Sequence, residues 1–72
     1  PPGREESLRR YLQGRYLEQT GASDEALGEY YRALALDPTS RALLVRISET
    51  AARKGDRQRS LEFADAREHD VG

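Results

Sequence analysis

The residues able to make or break bonds are few in this chain and poorly placed for it. There is one histidine, His69, and no cysteine. His69 has no serine or cysteine beside it to activate, and it reads more simply as a positive group near a helix end. The 13 acidic side chains are spread among basic and polar neighbours, with none in an apolar run that would raise its pKa for acid catalysis. Lack of cysteine and a lone histidine leave no disulfide and no metal site to expect. Gly21 and Gly28 do not follow a strand, as a phosphate-cradling loop requires, so no nucleotide cofactor is expected. Arg9, Arg10, Arg53, Lys54, Arg57 and Arg59 are suited to phosphate, but Glu5, Glu6, Glu49 and Asp56 interrupt them. With a net charge of −1 and mixed signs throughout, the chain has no electrostatic footprint for nucleic acid. The chemistry that remains is noncovalent recognition.

The elements that would position such a surface are helices. Helix formers run from about Arg4 to Thr20, with Leu8, Tyr11, Leu12, Tyr16 and Leu17 recurring at helical spacing. Residues 1–6 read as a flexible lead-in. Gly21 stops the first helix, and Ser23 is the expected cap of the second, with Asp24 and Glu25 in its first turn. The second helix runs from about Asp24 to Leu36 and buries Ala26, Leu27, Tyr30, Ala33 and Leu34, which leaves Tyr31 on its flank. Asp37-Pro38 ends it, because proline disfavours helical backbone at the residue before it.

A third helix is expected from Thr39 or Ser40 to Lys54, with Leu43, Leu44, Ile47, Ala51 and Ala52 facing inward. Gly55 is expected to close it. A fourth helix would follow from about Arg57 to His69, carrying Leu61, Phe63, Ala64 and Ala66. Connections this short make consecutive helices antiparallel neighbours. No stretch approaches the roughly 18 apolar residues of a membrane-crossing helix. A single core in a chain of 72 residues supplies only about 3–5 kcal/mol, so self-association or a larger parent scaffold are natural alternatives.

Gly21 and Gly55 lie 34 residues apart, and around the first stands the run ALGEYYRALALDP, Ala26 to Pro38. These residues resemble the tetratricopeptide repeat (TPR) family, whose period is 34. Residues 7–40 look like one full repeat. Gly14 matches the glycine of close helix contact and Gly21 that of the turn. Ala26, Tyr30 and Ala33 match the small–aromatic–small pattern of the second helix, and Pro38 the closing proline. Arg10 and Gln13 depart from the family's bulky pair. Residues 41–72 look like a second repeat, with Leu44, Ile47 and Gly55 in register and Ser48 and Ala51 as further matches. Arg67 and Glu68 stand where apolar residues would meet a following repeat, which suggests that the array ends there. The resemblance implies an all-α fold of four helices: two antiparallel helix-turn-helix repeats stacked as a short right-handed solenoid.

The resemblance also implies a function. Family members bind partner proteins on the concave face lined by the first helix of each repeat. Here that face would carry Leu8, Tyr11, Leu12, Arg15, Glu18 and Gln19, then Ala42, Val45, Arg46, Glu49 and Arg53. Tyr11, Arg15, Arg46 and Arg53 are of the types that dominate binding hot spots. The Lys and Asn set with which some members clamp chaperone tails is missing. The expected protein is a non-enzymatic adaptor that docks a peptide or helix of a partner protein, with no metal, cofactor, membrane or nucleic acid. Leu8, Tyr11 and Leu12 form a possible apolar patch for a second copy. The sequence assigns no compartment, and the cytoplasm is the default expectation.

Overall fold

The computed structural model describes the backbone of residues 2–70 and the side chains of residues 3–65. It contains three helices: α1 (Pro2–Gln19), α2 (Ser23–Leu36) and α3 (Arg41–Asp70). The all-α expectation stands, and the expectation of four helices does not. Gly55 closes nothing; α3 runs through it for 30 residues. A helical glycine costs only about 1 kcal/mol relative to alanine, so a helix can absorb one. No proline follows, and Asp56 pairs with Arg59 one turn on, which supports the helix where a cap was expected. The second antiparallel pair of the solenoid is therefore not formed. Positions 66–70 are helical, but the side chains of Ala66, Arg67, Glu68 and His69 lie outside the described residues.

Helix α1 begins earlier than expected and takes in part of the supposed lead-in. Proline suits a first helical turn, where its missing N–H has no partner to lose. The helix ends at a completed turn: Ala22 N–H donates to the Leu17 carbonyl at 2.9 Å and Gly21 N–H to that of Glu18 at 3.0 Å. Gly21 supplies the φ of +87° that this closure needs and that a side chain would disfavour. Ser23 is the first residue of α2 rather than its cap. Ala22 occupies the cap position without a side-chain hydrogen bond, and Asp24 and Glu25 provide the favourable first-turn charge.

Asp37, Pro38, Thr39 and Ser40 form a turn closed by Ser40 N–H donating to the Asp37 carbonyl at 3.2 Å. Proline fits this turn because its fixed φ suits the second position. Ser40 then caps α3, its hydroxyl oxygen accepting from Leu43 N–H at 3.3 Å.

Helix α2 lies in the middle and packs on both others. Ala26, Tyr30, Ala33 and Leu43 are buried, with Tyr11, Leu17, Leu27, Leu34 and Ile47 half-buried around them. The α2 stripe is the one expected, and Tyr31 is exposed as expected. The face of α1 is different. Ser7, Tyr11 and Gly14 point inward, while Leu8, Leu12 and Tyr16 are exposed. The reason is α2's Tyr30, whose ring fills the space above Gly14. A Cβ on Gly14 would lie 2.4 Å from that ring. Ser7 is small enough to fit and donates its hydroxyl to the Ala33 carbonyl at 2.9 Å. On α3, Leu43 is buried as expected, but Leu44, Ala51 and Ala52 are exposed, because no fourth helix covers them.

Candidate functional site

Two adjoining features occupy the face between α1 and α3. The first is an open groove of about 400 Å³. Arg4, Ser7, Leu8 and Tyr11 of α1 form one wall, Ala42 and Leu43 of α3 the other, and Asp37 and Ser40 of the turn close the end. Of the expected surface residues, Leu8, Tyr11 and Ala42 meet here. Tyr11 is held by the core, its ring centroid 5.8 Å from that of Tyr30. Leu8 is exposed and free to touch a ligand. Leu12, Gln19 and Val45 are exposed but do not line the groove. Arg4, Asp37 and Ser40 are additions that sequence spacing did not single out.

The second feature is a cluster of charges around Glu18. The Glu18 side chain is 12 % exposed, and Arg53 donates to its carboxylate at 3.0 Å. The Tyr30 hydroxyl donates to the other carboxylate oxygen. Arg15 is 3.9 Å away, and Arg46 pairs with Glu49 at 3.6 Å while also facing Glu18 electrostatically. The Thr50 hydroxyl is buried beside the same carboxylate without a hydrogen bond of regular geometry. The structure thus gathers Arg15, Glu18, Arg46, Glu49 and Arg53 into one group, as a shared face would, but much of it is committed internally. Glu18 works as an anchor joining α1, α2 and α3 more than as a free recognition group.

These contacts set the acid–base behaviour of the pair. Burial is the largest influence on Glu18 and resists ionisation. The Tyr30 and Thr50 hydroxyls and the charges of Arg53 and Arg46 together outweigh it and hold the carboxyl below its ordinary value. Burial likewise is the largest influence on Tyr30, and it acts with the hydrogen bond and negative charge of Glu18 to push the phenol well above its ordinary value.

A pH dependence follows for Glu18. Folded Glu18 releases its proton more readily than the unfolded residue, so it contributes stability above the ordinary carboxylate value. That contribution is lost as pH falls through 4.5 and then through the lowered folded value. Melting temperatures measured from neutral pH into acid should fall more steeply for the wild type than for Glu18→Gln. Parallel curves would remove Glu18 as a source of acid sensitivity.

Among the described residues no three His, Cys, Asp or Glu side chains come together to hold a metal ion. No described helix is long and apolar enough to cross a membrane. No protein-family model, curated protein or solved structure matches this chain.

Proposed function

We propose that this chain is a non-enzymatic protein-interaction module of TPR-like kind, built on one repeat-like helix pair, α1 and α2, and the long α3. Its groove takes a peptide or helix of a partner protein. The observation that carries this reading is the groove itself, where exposed Leu8 and core-held Tyr11 face Ala42 and Leu43 across an open space of about 400 Å³. An apolar side chain of the partner fits between these walls. Arg4, Asp37 and Ser40 at the edge supply charge and hydrogen bonds that orient the partner's backbone and neighbouring side chains. A rigid wall costs little to order on binding, and Tyr11 has that rigidity because its ring packs, tilted, against that of Tyr30. The resemblance of Gly14, Gly21, Ala26, Tyr30, Ala33 and Pro38 to the TPR pattern supports the same reading.

A peptide array probed with the purified chain tests it. Leu8→Asp places a charge in the groove at an exposed position, so the fold should survive while affinity for selected peptides drops by about tenfold or more. Arg46→Ala lies beyond the groove lining and should have a smaller effect. Peptides whose binding ignores Leu8→Asp would move docking away from this groove.

A further inference from the structure

The basic residues of α3 are interrupted by acids in the sequence but not in space. Glu49 turns to Arg46, and Asp56 to Arg59. That leaves Thr50, Arg53, Lys54 and Arg57 on the side of α3 facing the α1–α2 turn. There they enclose a pocket of about 190 Å³ with Glu18, Gly21 and Ser23. The acids beside it are already matched. Arg53 and the Tyr30 hydroxyl take the two oxygens of Glu18, and Lys54 pairs with Asp24. Arg57 has no ion pair or hydrogen bond among the described residues, so the pocket holds one cation in excess.

The start of α2 opens into the same pocket. Ala22 caps it with no side-chain bond, so the first N–H groups, at Ser23 and Asp24, have no acceptor within the helix. Such N–H groups favour negative charge. The opposite wall holds an unmet donor. Thr50 is 2 % exposed, and its hydroxyl has no hydrogen-bond partner of regular geometry, the neighbouring Glu18 carboxylate included. Ser48 on the same helix gives its hydroxyl proton to the Leu44 carbonyl at 3.0 Å. Thr50 leaves the equivalent outlet, the carbonyl four residues back, unused. A buried hydroxyl without a partner costs stability, and a ligand that accepts its proton removes that cost.

We propose that this pocket binds a phosphoryl group, carried by free phosphate or by a phosphorylated side chain of a partner. Arg57 and Arg53 supply charge-assisted hydrogen bonds from α3, the Thr50 hydroxyl donates from between them, and the Ser23 hydroxyl and first N–H groups of α2 donate from the facing side. A tetrahedral phosphoryl group offers three acceptor oxygens to these donors, where a planar carboxylate offers two. The pocket lies on the groove's side of α3, because Leu43, Thr50 and Arg57 stand seven residues apart, about two turns each time. Its centre is about 16 Å along the helix from Leu43, the span of about five residues of extended peptide. A partner with a phosphorylated residue at that distance from an apolar one reaches both places. Binding of phosphate alone does not depend on the groove reading.

Amide chemical shifts of the full chain, followed through a titration with inorganic phosphate, test the proposal, with sodium chloride at equal ionic strength as the control. Phosphate should give saturable shifts at Ser23, Asp24 and Thr50, and chloride none. Arg57→Ala and Thr50→Val should each weaken phosphate binding about tenfold. Both variants should fold, since Arg57 is exposed and the Thr50 hydroxyl lacks a regular bond to lose. Arg59→Ala, whose guanidinium serves Asp56, should change the affinity by no more than about twofold. A phosphoserine peptide with a leucine about five residues away separates the two sources. Binding about tenfold tighter than inorganic phosphate, cancelled by Leu8→Asp, assigns the pocket to a protein partner, and equal binding assigns it to free phosphate. A gain that survives Leu8→Asp would speak against the groove and for the pocket. No saturable shift, shifts that chloride reproduces, or an affinity unmoved by Arg57→Ala or Thr50→Val would overturn the phosphoryl site.

Discussion

Replacing Gly14 with alanine should destabilise the fold by about 1–3 kcal/mol, opposite in sign to the usual effect of that change in a helix. Glycine inside a helix ordinarily costs roughly 1 kcal/mol relative to alanine, because the unfolded glycine has more freedom to lose. At Gly14 that gain is overwhelmed by collision. The new methyl would lie 2.4, 2.7 and 3.0 Å from three atoms of the Tyr30 ring. The ring cannot withdraw, since Tyr30 is fully buried, packed against the tilted ring of Tyr11 and tied through its hydroxyl to Glu18. Helices α1 and α2 must move apart instead. Gly28 and Gly55 are the internal controls. Their added methyls would meet only the mobile guanidinium ends of Arg32 at 3.9 Å and Arg59 at 3.7 Å. Thermal unfolding followed by circular dichroism should show a lower melting temperature for Gly14→Ala and higher ones for Gly28→Ala and Gly55→Ala. Three shifts of the same sign would mean that helix propensity, not contact with Tyr30, governs all three positions.

The same contact explains why some elements could be read from the sequence and others could not. Helix α2 is covered on two sides by its neighbours, so its buried positions are its apolar ones, and Ala26, Tyr30 and Ala33 stand out by spacing. Helix α1 inverts that logic. The bulk between α1 and α2 comes from Tyr30, so the inward positions of α1 must be small, and Ser7 and Gly14 take them while Leu8, Leu12 and Tyr16 face outward. A search for a greasy stripe selects the wrong side of such a helix. The two glycines of the 34-residue spacing fare differently for a related reason. Gly21 sits at positive φ in a turn whose hydrogen bonds are completed by Ala22, and α2 then has α1 to pack on. Gly55 is followed by a segment with no such surface awaiting it, and Asp56 and Arg59 pair along the helix. The groove was legible in part, through Leu8, Tyr11 and Ala42. Its end wall was not, because Asp37 and Ser40 read as turn and cap residues whose place beside Tyr11 depends on how α2 and α3 cross. Glu18 was legible as a surface position only; its burial follows from partners on two other helices.

Tyr30→Ala should leave the chain unfolded at 25 °C. Tyr30 is the largest fully buried side chain of the hydrophobic core, and every other contributor there is an alanine, a leucine or only half-buried. Truncating a buried aromatic to alanine costs about 3–5 kcal/mol. That equals the roughly 3–5 kcal/mol a core of this size supplies in all. Tyr30→Phe separates the two roles of the residue. The ring stays between Gly14 and Tyr11, but Glu18 loses the donor that helps keep it charged in a half-dry site. The cost should be about 1–3 kcal/mol, within what the fold can survive. The wild type and Tyr30→Phe also differ from each other in alkali. The folded phenol holds its proton above the ordinary value of about 10, so the wild type loses stability as pH rises past that value, where only the unfolded chain ionises. Tyr30→Phe has no such proton and should show a shallower decline. Urea titrations at neutral pH and in alkali measure all of this. A folded Tyr30→Ala chain with a cooperative transition would show that the helices are held by something other than the Tyr30 ring.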